Sequence, residues 1–134
     1  MKSAFFLVFI SFLALTNNGY AQSMNAIDSP CRGVGDTLDQ VRCFDRAWKE
    51  SDAKLNETYA KIKSLLTTKD QGQLERAQRL WIQYRDVTCN AVHDLYEGGT
   101  AGPPTRLECL EAETRAREAS LQRSYGWIVE KFGK

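Results

Sequence analysis

The sequence has few of the residues from which catalytic and metal centres are usually built. It holds one histidine, His93, and its four cysteines, Cys31, Cys43, Cys89 and Cys109, include no close C-x-x-C pair. Structural zinc draws its ligands from such pairs, so the pattern argues against zinc. Asp52, Tyr59, Arg85, Asp86 and His93 include groups able to move protons, but the sequence sets no nucleophile beside a base. The expectation is a protein that is not an enzyme and carries no cofactor. An excess of one charge is also missing: 18 basic residues face 17 acidic ones, interspersed along the chain. That balance supplies no electrostatic argument for binding nucleic acid or an anionic membrane surface. No segment alternates apolar and polar residues with period two and no internal repeat is evident, so neither a β domain nor a solenoid is expected.

One apolar run is present, from Ala4 to Leu15, with Lys2 before it and Gly19 and Ala21 after it. It falls short of the roughly 20 residues that span a bilayer and has the layout of a secretory signal peptide. Residues 1–21 are read as that signal, with an uncleaved membrane anchor as the alternative. No cysteine follows the small residues directly, which argues against a lipid anchor at the cleavage site. The mature chain would begin at Gln22, lose Lys2 and carry 17 residues of each charge. A periplasmic or secreted location without a stable membrane anchor follows, and about 113 residues make one domain. An even number of cysteines in an exported chain predicts two disulfides, with three pairings open.

Helical periodicity is what the chain does have. Val41, Phe44, Trp48, Leu55, Tyr59, Ile62 and Leu66 predict a helix over 38–66, capped by Asp36 or Thr37. The polar stretch 67–72, ending in Gly72, reads as a turn. Leu74, Ala77, Trp81, Tyr84, Thr88, Val92 and Leu95 predict a second helix over 73–96, with Trp48, Trp81 and Tyr84 as core anchors. Residues 97–105 hold Gly98, Gly99, Gly102, Pro103 and Pro104 and read as a loop. A third helix from about Thr105 carries Leu107, Leu110, Thr114, Arg117, Leu121 and Tyr125, and Gly126 weakens its end. The fold class is all-α: a small antiparallel three-helix bundle with two disulfides, an N-terminal arm over 22–37 and the helical domain over 38–134.

Short connections make neighbouring helices antiparallel, so facing positions sum to about 139 across the first turn and about 201 across the second loop. This ruler brings Asp52, Arg85 and Arg117 to one level. A lone buried charge is costly, so Arg85 is expected to pair with Asp52 in a structural polar layer; a ligand site is the alternative. The same ruler puts Cys89 within roughly 4.5 Å of helix rise from the level of Cys109, but roughly 10 Å from that of Cys43. Disulfide reach then selects Cys89 with Cys109, leaving Cys31 for Cys43.

A joint pattern emerges from these residues. It runs from Cys43 through D-x-x-L-N-x-x-Y at Asp52, Leu55, Asn56 and Tyr59 to L-x-x-A-Q-x-x-W-x-x-Y-R-D-x-x-C from Leu74 to Cys89. Y-x-G-G-T at Tyr96 to Thr100 and C-L-x-x-x-T-x-x-R-x-x-x-L from Cys109 to Leu121 complete it. This combination resembles the LprI-like family of secreted bacterial helical domains. The resemblance implies a protein partner, a lysozyme-type glycosidase that the protein binds and inhibits. An envelope immunity module that neutralises another toxin is the alternative, and a small-molecule binder is a third class. The candidate contact is the loop containing Gly98, Gly99, Thr100, Gly102, Pro103 and Pro104, flanked by Glu97, Arg106 and Glu108. A disulfide that closes such a loop pre-organises it, which lowers the entropy cost of entering a cleft. An ordinary connector is the other reading of the same residues.

Overall fold

The computed structural model describes residues 24–134, and the signal peptide expected over 1–21 lies outside them. Three helices, α1 (Thr37–Leu65), α2 (Thr68–Asp94) and α3 (Gly102–Phe132), account for most of the described chain, and no strand occurs among the described residues. Each helix start has a local cause. The Asp36 carboxylate accepts the amides of Leu38 and Asp39 at 2.9 and 3.2 Å, which satisfies two of the donors a helix leaves unpaired. At α2, the Thr67 hydroxyl accepts the Asp70 amide and donates to the Asp70 carboxylate at 2.7 Å, a reciprocal cap. That cap starts α2 at Thr68, ahead of the expected Gln73, and places Gly72 inside the helix. Helix α3 likewise starts at Gly102 and not at Thr105. Pro103 and Pro104 fit its first turn because amides there have no intrahelical acceptor and the ring presets a helical φ. Gly126, expected to weaken the end, lies within α3, which continues to Phe132.

Two hydrogen bonds fix the direction of packing. Ser51 donates to Glu111 and Thr58 to Glu118, the same offset of 60 residues both times, so α1 and α3 run parallel. Helix α2 runs antiparallel to both, tied to α1 by Lys63–Glu75 at 2.7 Å and to α3 by a disulfide. The closest packing is between α1 and α3, with α2 laid mainly against α3. Phe44, Leu55, Ile62, Leu74, Leu110, Leu121 and Ile128 form the buried apolar core. Each such side chain contributes about 1.5–3 kcal/mol on burial.

Helix α2 is rotated from the orientation its sequence suggests. It turns Leu74, Gln78, Trp81, Arg85 and Cys89 inward, whereas Ala77, Tyr84 and Leu95, read as inward-facing, are exposed. The cause is a helix with two apolar stripes separated by roughly 120° of arc, of which the pattern alone favours neither. The one bearing Cys89 is pulled inward by its bond to Cys109.

Both disulfides form as expected, Cys31–Cys43 with Cα atoms 5.9 Å apart and Cys89–Cys109 with 5.5 Å. The first anchors the arm preceding α1, and Asp28 on that arm reaches Arg115 of α3 at 3.3 Å. Loops of 12 and 20 residues restrict the unfolded chain by similar amounts, about 3 kcal/mol each. The paired substitution Cys89→Ser with Cys109→Ser should therefore lower unfolding free energy by about 3 kcal/mol in urea titration, with native helicity retained. Peptide mapping of the oxidised protein should yield the Cys89–Cys109 and Cys31–Cys43 fragments and no Cys43–Cys89 fragment.

Candidate functional site

Two regions collect the polar and exposed groups singled out in the sequence. The first is the polar layer midway along the bundle. Arg85 enters it from α2 and is only 9% exposed. Its guanidinium lies 5.0 Å from the Trp81 ring centroid and 5.9 Å from that of Trp48, and the Arg117 guanidinium lies 5.9 Å from the Trp81 centroid. Trp48 of α1, Arg85 and Trp81 of α2 and Arg117 of α3 thus form one cation–π ladder across three helices. Arg85 Nε and Nη2 both contact Asp86 Oδ1 at 2.9 Å, and Nη1 donates to Thr114 at 3.4 Å.

Asp52 stands on this level, 3.8 Å from Arg85 Nη1, but its side chain is 43% exposed and it also accepts from Asn56. It is therefore a secondary partner, and Asp86, adjacent in sequence, is the closer one. Arg117 does not share the Asp52 carboxylate: its Nε donates to Gln78 at 3.1 Å. Burial lowers the Arg117 pKa from the ordinary arginine value, and arginine nonetheless stays charged at neutral pH. The tryptophans were legible as core anchors but not as the faces on which the arginines rest. The spacing of Trp81 and Arg85, four apart on one helix face, was the available signal.

The second region is the end of the bundle where both disulfides lie. Between α2 and α3 the chain reverses at Glu97 and Gly98, whose φ values of 45° and 80° are left-handed. Glycine adopts that region without steric cost, and at Glu97 the turn is accompanied by donation of its amide to the Asp94 carbonyl at 3.2 Å. Gly98, Gly99, Thr100 and Pro103 are exposed, but Gly102 and Pro104 are buried in the first turn of α3. The six-residue candidate loop is corrected accordingly to an exposed tip and a buried foot. A Cβ on Gly102 would lie 3.1 Å from the His93 ring, so the foot is pressed against the end of α2. Arg106 braces the same junction by donating to Asn90 at 2.7 Å. Thr100 and Pro103 line a shallow cleft of about 450 Å³ with Asp36, Thr37, Leu38 and Val41 at the start of α1. Leu38, Leu95 and Tyr96 give this end an exposed apolar rim.

A larger cleft of about 660 Å³ runs between α1 and α3, and one of its lining carboxylates, Glu118, already accepts from Thr58 and Gln122. Among the described residues no group of histidine, cysteine, aspartate or glutamate is placed to hold a metal ion.

The ladder makes a direct comparison of variants. Trp81→Ala removes the ring that both guanidinium groups contact and should cost about 3–5 kcal/mol in chemical denaturation. Asp52→Ala removes a half-exposed, more distant partner and should cost less than about 1 kcal/mol. The opposite order would make Asp52 the principal support of Arg85.

Comparison with known proteins identifies a family. The profile of the family described as lysozyme inhibitor LprI matches residues 30–121, a span that includes all four cysteines, the ladder and the loop. An uncharacterized protein of Rhizobium meliloti (strain 1021) is 32% identical over 105 residues, covering 69% of this chain and 76% of that protein. No solved structure matches. With more than half of its length inside that profile and both cysteine pairs within the matched span, the chain belongs to the LprI lysozyme-inhibitor family.

Proposed function

We propose that this protein is exported to the periplasm or beyond and there binds and inhibits a lysozyme-type glycosidase, without a catalytic centre of its own. Its contact surface is the tip formed by Gly98, Gly99, Thr100 and Pro103. The observation that carries the reading is the bracing of this tip: Cys89–Cys109 closes its base and Cys31–Cys43 fixes the neighbouring start of α1. A tip held in one shape loses little entropy on binding, and an apolar rim of Leu38, Leu95 and Tyr96 supplies contact area around it. The catalytic cleft of such a glycosidase carries two carboxylates flanking the scissile bond, so a narrow glycine-rich tip that enters or caps the cleft would exclude substrate. Two disulfides support an oxidising compartment, and among the described residues no helix is long and apolar enough to cross a membrane.

The test is a cell-wall lysis assay with purified oxidised protein against lysozymes of several types. At least one type should lose activity in stoichiometric fashion, and full activity of every type in excess protein would reject the function. Thr100→Arg changes only an exposed position of the tip. It should weaken inhibition at least about tenfold with an unchanged melting temperature, as a bulky charge does at the centre of a contact. Inhibition that survives Thr100→Arg undiminished would move the contact elsewhere while leaving the function intact.

A further inference from the structure

Helix α2 covers one of its two apolar stripes and leaves the other in water. Ala77, Leu80, Tyr84, Val87 and Ala91 recur at alternating spacings of three and four, the spacing of a seam that packs against another helix. All five are exposed, Leu80 by 58%, Tyr84 by 57% and Val87 by 70%. From Ala77 to Ala91 the stripe extends about 21 Å along the helix. It presents on the order of 500 Å², near the upper end for a contiguous apolar patch on a monomer. Its only charges are at opposite ends, Arg76 and Asp94, and the flanking Gln83 and Asn90 are neutral.

We propose that two copies of the chain pair through this face, α2 against α2 and antiparallel, about a two-fold axis between Tyr84 and Val87. The stripe is self-complementary under that operation. Tyr84 of one copy meets Val87 of the other, and Leu80 meets Ala91, so a larger side chain faces a smaller one in each layer. Arg76 falls beside Asp94 of the second copy, and by symmetry this happens at both ends. A parallel arrangement would instead set Arg76 against Arg76 and Asp94 against Asp94. Arg76 has no ion pair with any other described residue, whereas Asp94 has only the adjacent His93 ring at 3.1 Å. Exposed ion pairs of this kind select register and orientation more than they add affinity. Two copies would bury roughly 1,000 Å² in total, the small end of specific interfaces, which fits micromolar self-association. The two braced tips then point away from each other, so pairing leaves both free.

Sedimentation equilibrium of the purified oxidised protein tests this. The apparent mass should double across about 1–200 µM, a range centred on micromolar affinity. Val87→Glu should keep the protein monomeric throughout, with an unchanged melting temperature in dilute solution because Val87 is exposed in the single chain. Arg76→Asp and Asp94→Arg should each weaken pairing about tenfold, and the two together should restore it. A monomer at every concentration, or a dimer indifferent to Val87→Glu, overturns the proposal. So does failure of the double exchange to rescue, and so does a Val87-dependent attachment to phosphatidylcholine vesicles, which would make the stripe a lipid-facing surface.

Discussion

A guanidinium buried against two indole rings sets the arrangement of this bundle. A cation in the interior of so small a domain is tolerated only when each of its faces and donors is matched, because desolvation costs several kcal/mol otherwise. Arg85 meets that condition with partners from all three helices: Trp48 from α1, Trp81 and Asp86 from α2, and Thr114 from α3. Arg117 adds a second guanidinium over Trp81. Shifting any one helix along its axis would break a contact of this layer, so the ladder fixes register as well as adding stability.

Around the ladder the bundle divides into three levels. Beyond it towards the α1–α2 turn lies the apolar cluster of Leu55, Ile62, Leu74 and Leu121, with Tyr59, Trp81 and Tyr125 packed on it. Towards the α2–α3 loop the large buried side chains thin out to Phe44 and Leu110, and both disulfides appear there instead. A domain of this size has limited apolar area to spread over three long helices, and covalent bonds substitute where the core is thinnest. Rigidity at the loop end is thus obtained without filling that end with bulky side chains, which leaves the tip and the start of α1 free to present surface.

Much of this was legible in the sequence, and the rest was hidden for identifiable reasons. Helix number, antiparallel connection and cysteine pairing follow from periodicity and chain length, quantities that a few local deviations do not disturb. The pairing ruler ran about four positions high across the second loop, because α2 ends at Asp94 and α3 begins at Gly102, so the true loop is shorter and earlier. Pro103 and Pro104 concealed that start, since the same residues that break a helix interior suit its first turn. Thr67 and Asp70 were a capping pair that read as turn residues. The partners of Arg85 were missed because tryptophans were assigned to the apolar core, although their faces attract cations.

The rotation of α2 was the deepest gap, and energetics explain why the apolar pattern misleads there. Turning Leu80, Tyr84 and Val87 inward would gain roughly 1.5–3 kcal/mol for each side chain. The same turn would expose Leu74 and Trp81, separate Cys89 from Cys109 and carry Arg85 away from Trp48, so most of that gain would be offset and a disulfide worth about 3 kcal/mol would be lost as well. Hydrophobicity therefore does not choose the observed rotation, and the bond and the ladder decide. A helix with two apolar stripes leaves one outside whichever way it turns, and its outer surface is a consequence of what its inner surface must hold.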